Sequence, residues 1–355
     1  MLVLEALILI GLIGITCAII WGKDLMSLVI VYCMFSFATM FLYILMGAPD
    51  VAFTEAVIGV ISTIYFIIIL RSVNRKSKPA EPTMVWSVKR QRNYDIKKII
   101  IAVIILVVFL APLISVQGLL PAIGDPNSAA ASHVSSYYIE NTETISNSPN
   151  MVTSVIVDFR AFDTLFETTV MFLAGVSVLL ILSSSTRKRR VSLSTVVQVR
   201  SKGKSAIFNT INKEVIISII EPLMLIYAIY VLFHGEVSLG GGFQAGALIA
   251  MVYLLDVMVA KRERNIFLFT FTKYRAAAAA GLGPFIYALT GVLTMVGGGL
   301  FLEYGKLPLP IDELELHSIG ILMVEIGVTI GVACTIIAIL NAILERTEFD
   351  DDNNQ

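Results

Sequence analysis

Charged side chains are scarce here: Asp, Glu, Lys and Arg make up only 15% of the 355 residues, where a soluble domain carries about 25%. That shortage excludes an ordinary water-exposed fold. Cysteine is nearly absent too. Cys17, Cys33 and Cys334 each lie inside an apolar run, with no CxxC and no His at ligand spacing, so neither a disulfide framework nor a zinc or iron–sulfur site is supported. There are three histidines, and no P-loop, dinucleotide glycine fingerprint, HExxH or nucleophile elbow occurs. These gaps argue against a chemical active site, a bound cofactor or a metal centre. Before its first apolar run the N-terminus offers the acidic Glu5 and no basic region, which speaks against a cleavable signal peptide.

What is present is hydrophobic sequence, 57% of the chain, with a mean hydropathy of +0.84. Nine stretches have roughly the 20-residue length that crosses a ~30 Å hydrocarbon layer as helix: 2–20, 25–46, 51–70, 99–116, 165–182, 215–233, 243–260, 282–302 and 319–340. The expected fold is all-α, a polytopic integral membrane protein of about nine transmembrane helices in units of three, two and four, over 1–73, 95–190 and 213–345. Segments 71–98, 183–213 and 261–281, with Lys23 and Arg346, hold 24 of the 26 basic residues. With nine alternating helices all of these fall on one side, which the positive-inside bias assigns to the cytoplasm. The N-terminus is then expected outside and the acidic tail inside. Basic runs such as 187–190 read as topology determinants beside anionic lipid rather than as nucleic-acid sites.

Acids within the apolar stretches are the candidate ion-path residues, because a carboxylate there is costly unless paired, protonated or hydrated. In the first unit, Pro49 suits a first helical turn and Asp50 the positive end of that helix. Glu55 lies about 7 Å further along by helix rise. In the second unit the Ser-, Ala- and Asn-containing segment 117–150 is expected to be an irregular outer loop, followed by a short apolar piece, 150–156, at the interface. Asp163 and Glu167 then share a helix face, with Arg160 placed to neutralise one acid. In the third unit Pro222 should interrupt its helix beside Glu221, and Glu325 sits within the last helix.

The stretch His234–Leu248, HGEVSLGGGFQAGAL, stands apart from any plain membrane helix. Gly240, Gly241 and Gly242 let the backbone turn sharply or lie against a neighbour. Gln244 and Gly246 then fall in the first turn of the helix that restarts at Phe243.

Three motifs in this order, GAPDVAFTEAVIGV, DFRAFDTLFETTV and HGEVSLGGGFQAGALIA, make the chain resemble the Mrp-type multisubunit sodium/proton antiporter module. Residues 1–73 are similar to the three-helix segment near the C-terminal part of the large Mrp A subunit, which is also the D-type subunit of membrane-bound hydrogenases. Residues 95–190 resemble the following E-type segment, and 213–345 the Mrp B subunit. The resemblance implies a transport subunit, not an enzyme, in a prokaryotic plasma membrane. It would pack with small C-, E-, F- and G-type subunits and with large antiporter-like subunits related to those of respiratory complex I, moving Na+ and H+ and needing no cofactor. The alternative it implies is a structural linker or sodium-handling arm of a membrane-bound hydrogenase or sulfane-sulfur reductase. On this reading Glu55 and Glu167 line a hydrated cation or proton path, and the Gly240–Gly242 turn permits tight packing between subunits.

Overall fold

A computed structural model describes residues 2–22, 24–76, 96–122, 125–183, 207–259 and 272–352. Among these residues there is no strand. The helices are α1 (Leu2–Trp21), α2 (Leu25–Leu45), α3 (Pro49–Lys76), α4 (Ile96–Val116), α5 (Ser136–Ser146), the single turn α6 (Met151–Thr153), α7 (Ala161–Ser183), α8 (Ile207–Phe233), α9 (Gly242–Val259), α10 (Lys273–Val296) and α11 (Glu313–Asp352). Seven are long and apolar enough to cross a membrane. The shorter apolar helices Val103–Leu119 and Gly242–Val257 occupy the remaining two of the nine expected positions.

The element boundaries follow from local chemistry. The Asp24 side chain accepts from the Ser27 N–H at 2.9 Å and starts α2, satisfying one of the orphan donors of a helix N-terminus. Pro49 opens α3, where its missing N–H removes nothing. Two expectations are corrected. The segment 117–150 is not wholly irregular: a π-helical turn, Ala130–Ser135, leads into α5. Asn147 closes α5 in the left-handed conformation (φ 52°), a common C-terminal stop, while Tyr138 packs its ring 5.3 Å from that of Phe159. Pro222 does not interrupt its helix either, because α8 runs on through it. The basic segments 77–95, 184–206 and 260–271 lie outside the described residues.

The bundle is organised around α11. Two thirds of its membrane window, 67%, is buried, against 0% for α1. It packs on α10, α9 and α7, and the Tyr65 hydroxyl of α3 donates to the Ile336 carbonyl at 2.6 Å. In hydrocarbon this packing rests on close van der Waals fit and small residues, since lipid tails are as apolar as Leu. By contrast, every described side chain of α4 from Ile100 onward is exposed.

Candidate functional site

The turn between α8 and α9 gathers all three units at one end of the bundle. Gly240 and Gly241 have φ of +151° and +139°, conformations that L side chains rarely adopt, which is why this turn is glycine. Gly242 has ordinary torsions, but a Cβ there would stand 2.2 Å from the Glu325 carbonyl oxygen. The close approach expected from these glycines is made within the chain: all three are buried, against α8 and α11.

Side chains of the first unit fasten that turn. Asp50, only 8% exposed, accepts from the Gly240 N–H at 3.2 Å through Oδ1. One turn along α3, the Thr54 hydroxyl accepts from Gln244 Nε2 at 2.8 Å. The second unit fastens it from the other side. Asn150 caps α6 by accepting from the Val152 N–H at 3.0 Å, while its Nδ2 donates to the carbonyls of Gly235 at 3.2 Å and Ser238 at 3.0 Å. Its own N–H donates to the Glu236 carbonyl at 3.0 Å, and Thr153 Oγ1 donates to the Gly235 carbonyl at 2.7 Å. Backbone carbonyls buried in a turn need such donors.

A second set of bonds ties the second unit to the last two helices. After α6 the chain forms a π-helical turn, Ser154–Phe159, broken at Arg160 (φ −124°, ψ 37°). π-turns often mark functional positions. Here the turn aims Asp158 inward, where its Oδ2 lies 2.8 Å from His317 Nδ1 and accepts from Ser146 Oγ at 2.6 Å. The carbonyls it exposes are taken by the Tyr304 hydroxyl (to Val157, 2.9 Å) and Thr164 Oγ1 (to Ile156, 2.9 Å). The Tyr287 hydroxyl donates to the Ala161 carbonyl at 2.8 Å.

The candidate acids do not share one environment. Asp50, Gln244 and Glu325 come together around the glycine turn with Gly240–Gly242. Gly246 lies next along α9, where a Cβ would meet the Thr329 carbonyl at 2.7 Å. Glu325 is 3% exposed and its buried Oε2 has no hydrogen-bond partner. Glu55 instead turns to α2, where the Ser36 hydroxyl donates to its Oε1. Asp163 pairs with Arg160 at 2.5 Å, both more than half exposed. Glu167 is exposed on the surface of α7, within the span Ala161–Leu182. Glu221, 2% exposed with a buried unpartnered Oε1, sits mid-α8 and interacts electrostatically with Asp256 of α9. Among the described residues no group of three His, Cys, Asp or Glu could hold a metal ion.

Sequence reasoning missed four residues. Asn150 was accessible, since an Asn ahead of an apolar helical run is an N-cap signal. Glu236 follows His234-Gly235 in the turn and is half-buried beside Ser318. Burial pushes its carboxyl up to about 6, with the Ser318 hydroxyl opposing the shift. The Asp158–His317 pair spans 159 positions and leaves no local signal.

This arrangement defines a polytopic helical membrane protein whose three segments are locked together at one end by polar side chains, with several carboxylates on its apolar helices that have no charge partner among the described residues. Profiles of three families match in chain order: the D-type subunit of MBH over residues 10–75, the E-type subunit of MBH over 126–200, and a domain related to the MnhB subunit of Na+/H+ antiporter over 213–338. Among curated proteins, the putative antiporter subunit mnhA2 of Staphylococcus epidermidis is 27% identical over 172 residues, 48% of this chain and 19% of that protein. The Na(+)/H(+) antiporter subunit A1 of Staphylococcus saprophyticus is 28% identical over 177 residues, 49% of this chain and 19% of that one. The chain thus spans about a fifth of the length of these relatives. Among solved structures, the Mrp complex from Dietzia sp. DQ12-45-1b superposes with a TM-score of 0.70 at 24% identity, covering 95% of this chain and 34% of that one. In chain order, the three segments are thus similar to the D- and E-type subunits of MBH and to a domain related to the MnhB subunit of Na+/H+ antiporter, an order that fits an A-type segment joined to a B-type domain.

Proposed function

We propose that this chain is a membrane subunit of an Mrp-type cation/proton antiporter, contributing carboxylates to the ion path and a rigid frame on which other subunits pack. The observation that carries the reading is the ordered match of all three segments to such subunits, together with Glu167 standing exposed inside a membrane span with no ion-pair partner among the described residues. A lipid-exposed carboxylate is expensive, so that face of α7 is better suited to a neighbouring subunit or a hydrated passage than to lipid. The described α4 side chains from Ile100 onward, all exposed, suit the same role. Other Mrp-like membrane subunits are the partners, the loop end that holds Gly240–Gly242 faces outward, and the basic segments face the cytoplasm.

A carboxylate that alternates between H+ and Na+ couples the two ions by competition. Glu55 and Glu167 are the residues we assign to that exchange. Glu55→Ala and Glu167→Ala, each in the assembled complex, should abolish Na+-dependent dissipation of a pH gradient in everted vesicles while the complex stays intact on size exclusion. Full exchange in both variants would remove the assignment. The D- and E-type matches are to subunits of MBH, and they favour one second reading: the same chain as the sodium-handling arm of a membrane-bound redox complex. A redox protein co-purifying with the chain would select it.

A further inference from the structure

Beneath the glycine turn lies a cavity of about 160 Å³ whose polar lining consists of Glu236 from the turn and Ser318 and Glu325 from α11, with Leu232 and Leu322 among its apolar walls. Among the described residues no basic side chain lines it. The two carboxylates repel one another electrostatically, and Glu325, 3% exposed, points an unpartnered Oε2 into buried space. Two ionised carboxylates at an apolar-walled cavity are unfavourable unless they take up a proton or a cation joins them. With a water occupying roughly 30 Å³ of liquid volume, the space accommodates an ion that keeps several of its waters.

The surroundings hold these groups in place. The Glu236 carbonyl is fixed by the Asn150 N–H and Ser148 Oγ, at 3.0 and 2.9 Å. Asn147 Nδ2 donates to Ser318 Oγ at 3.3 Å. Thr329 Oγ1 donates to the carbonyls of Glu325 (2.8 Å) and Gly242 (3.1 Å), holding the two backbones together. The nearest histidine along α11, His317, is engaged by Asp158. Donors of this kind, carboxylate, hydroxyl and water oxygens, suit hard cations rather than thiophilic metals.

We propose that Glu236, Ser318 and Glu325 form a binding site for a hydrated monovalent cation, Na+ or hydronium in exchange for one another. Two carboxylates and one hydroxyl supply at most five of the six to eight oxygens that Ca2+ takes, which makes Ca2+ the competitor that tests the monovalent assignment. On the antiport reading above, the cavity is where an ion is loaded from the side that holds the glycine turn; the binding itself does not depend on that reading.

The test is equilibrium binding of 22Na+ to the purified membrane complex containing this chain, at a pH well above the value of about 6 for Glu236, with H+ and Ca2+ as competitors. Wild-type complex should bind saturably and release 22Na+ on acidification. Glu236→Gln should weaken binding by about tenfold or more, corresponding to the loss of roughly 1.4 kcal/mol, and Glu325→Gln should abolish it. Ser318→Ala, a rim change that leaves both acids in place, should weaken binding to a smaller degree and guards against misfolding of the buried variant. Unchanged affinity in Glu236→Gln and Ser318→Ala, with the complex intact on size exclusion, overturns the site, as does displacement by Ca2+ at far lower concentration than by Na+. Complex that binds as described yet exchanges no ions in vesicles supports the site and sinks the antiport reading. Normal exchange with unaltered binding in the variants sinks the site alone.

Discussion

Gly242→Ala isolates one physical effect, because its backbone torsions are open to any residue and only space is at issue. The added Cβ would stand 2.2 Å from the Glu325 carbonyl oxygen, and 3.0 and 3.1 Å from the carbonyl carbon and Cα behind it. All three atoms are backbone, so no rotamer change relieves the clash. α9 must move away from α11 by roughly 1 Å to restore ordinary contact, and a gap of that size along a packed interface forfeits a quarter to a half of each affected van der Waals well. The expected cost is about 1–3 kcal/mol, the range for overpacking a filled core. The shift also stretches the Thr329 bond to the Gly242 carbonyl, now 3.1 Å. The control is Gly298→Ala, where nothing lies within 4 Å of the new Cβ but φ is +88°; conformational strain alone costs it about 1–2 kcal/mol. Thermal unfolding of the detergent-purified complex, read alongside vesicle antiport, compares the two. Gly242→Ala should destabilise at least as much as the control and also depress transport, because it displaces the Glu325 backbone. Gly242→Ala melting and transporting like wild type would refute the close α9–α11 contact.

Asn150→Ala removes the Nδ2 donor to the Ser238 carbonyl and one of the two donors to the Gly235 carbonyl, which keeps Thr153 Oγ1, together with a helix cap; a loss of about 1–3 kcal/mol is expected, seen as faster proteolysis of the turn at 234–241. Asp158→Asn and His317→Ala should show a coupling energy of about 0.5–3 kcal/mol in a double-mutant cycle on complex stability, since the two groups touch at 2.8 Å; simple additivity would deny the contact. Glu236 has a raised carboxyl in the folded state. Its contribution to stability is therefore present in full below the ordinary value of 4.5 and lost as pH rises through about 6, so Glu236→Gln should flatten the fall in melting temperature across that window and leave the acid side unchanged.

The sequence was most legible where composition and spacing act locally. Apolar length marked the nine helical positions, and a Pro-Asp pair marked the start of α3, because both signals are set by hydrocarbon thickness and by helix-end chemistry. The three glycines announced a close approach, but not to what: Gly242 meets its own chain at Glu325, a contact 83 residues away in sequence that no local pattern encodes. Helix α5 was hidden because its polar residues, SYYIENTETIS, read as loop. Its order comes from tertiary partners, chiefly Phe159 and the Ser146–Asp158 bond. Pro222 failed to interrupt α8 because one lost backbone bond mid-helix can be absorbed within a membrane bundle. The acids were visible as a list of costly residues, yet their separation into the glycine-turn group (Asp50, Glu325), the α2-facing Glu55 and the exposed Glu167 depends on helix rotation and packing.

The central claim is that this chain works as one subunit of an ion-exchanging assembly, and co-purification tests it most directly. The chain is extracted from its native membrane in mild detergent, and everything that accompanies it is identified by mass spectrometry and then reconstituted into liposomes. The account predicts several Mrp-like membrane subunits in fixed ratio, with Na+/H+ exchange by the assembly and none by the isolated chain. A chain that purifies alone and exchanges ions by itself would contradict it.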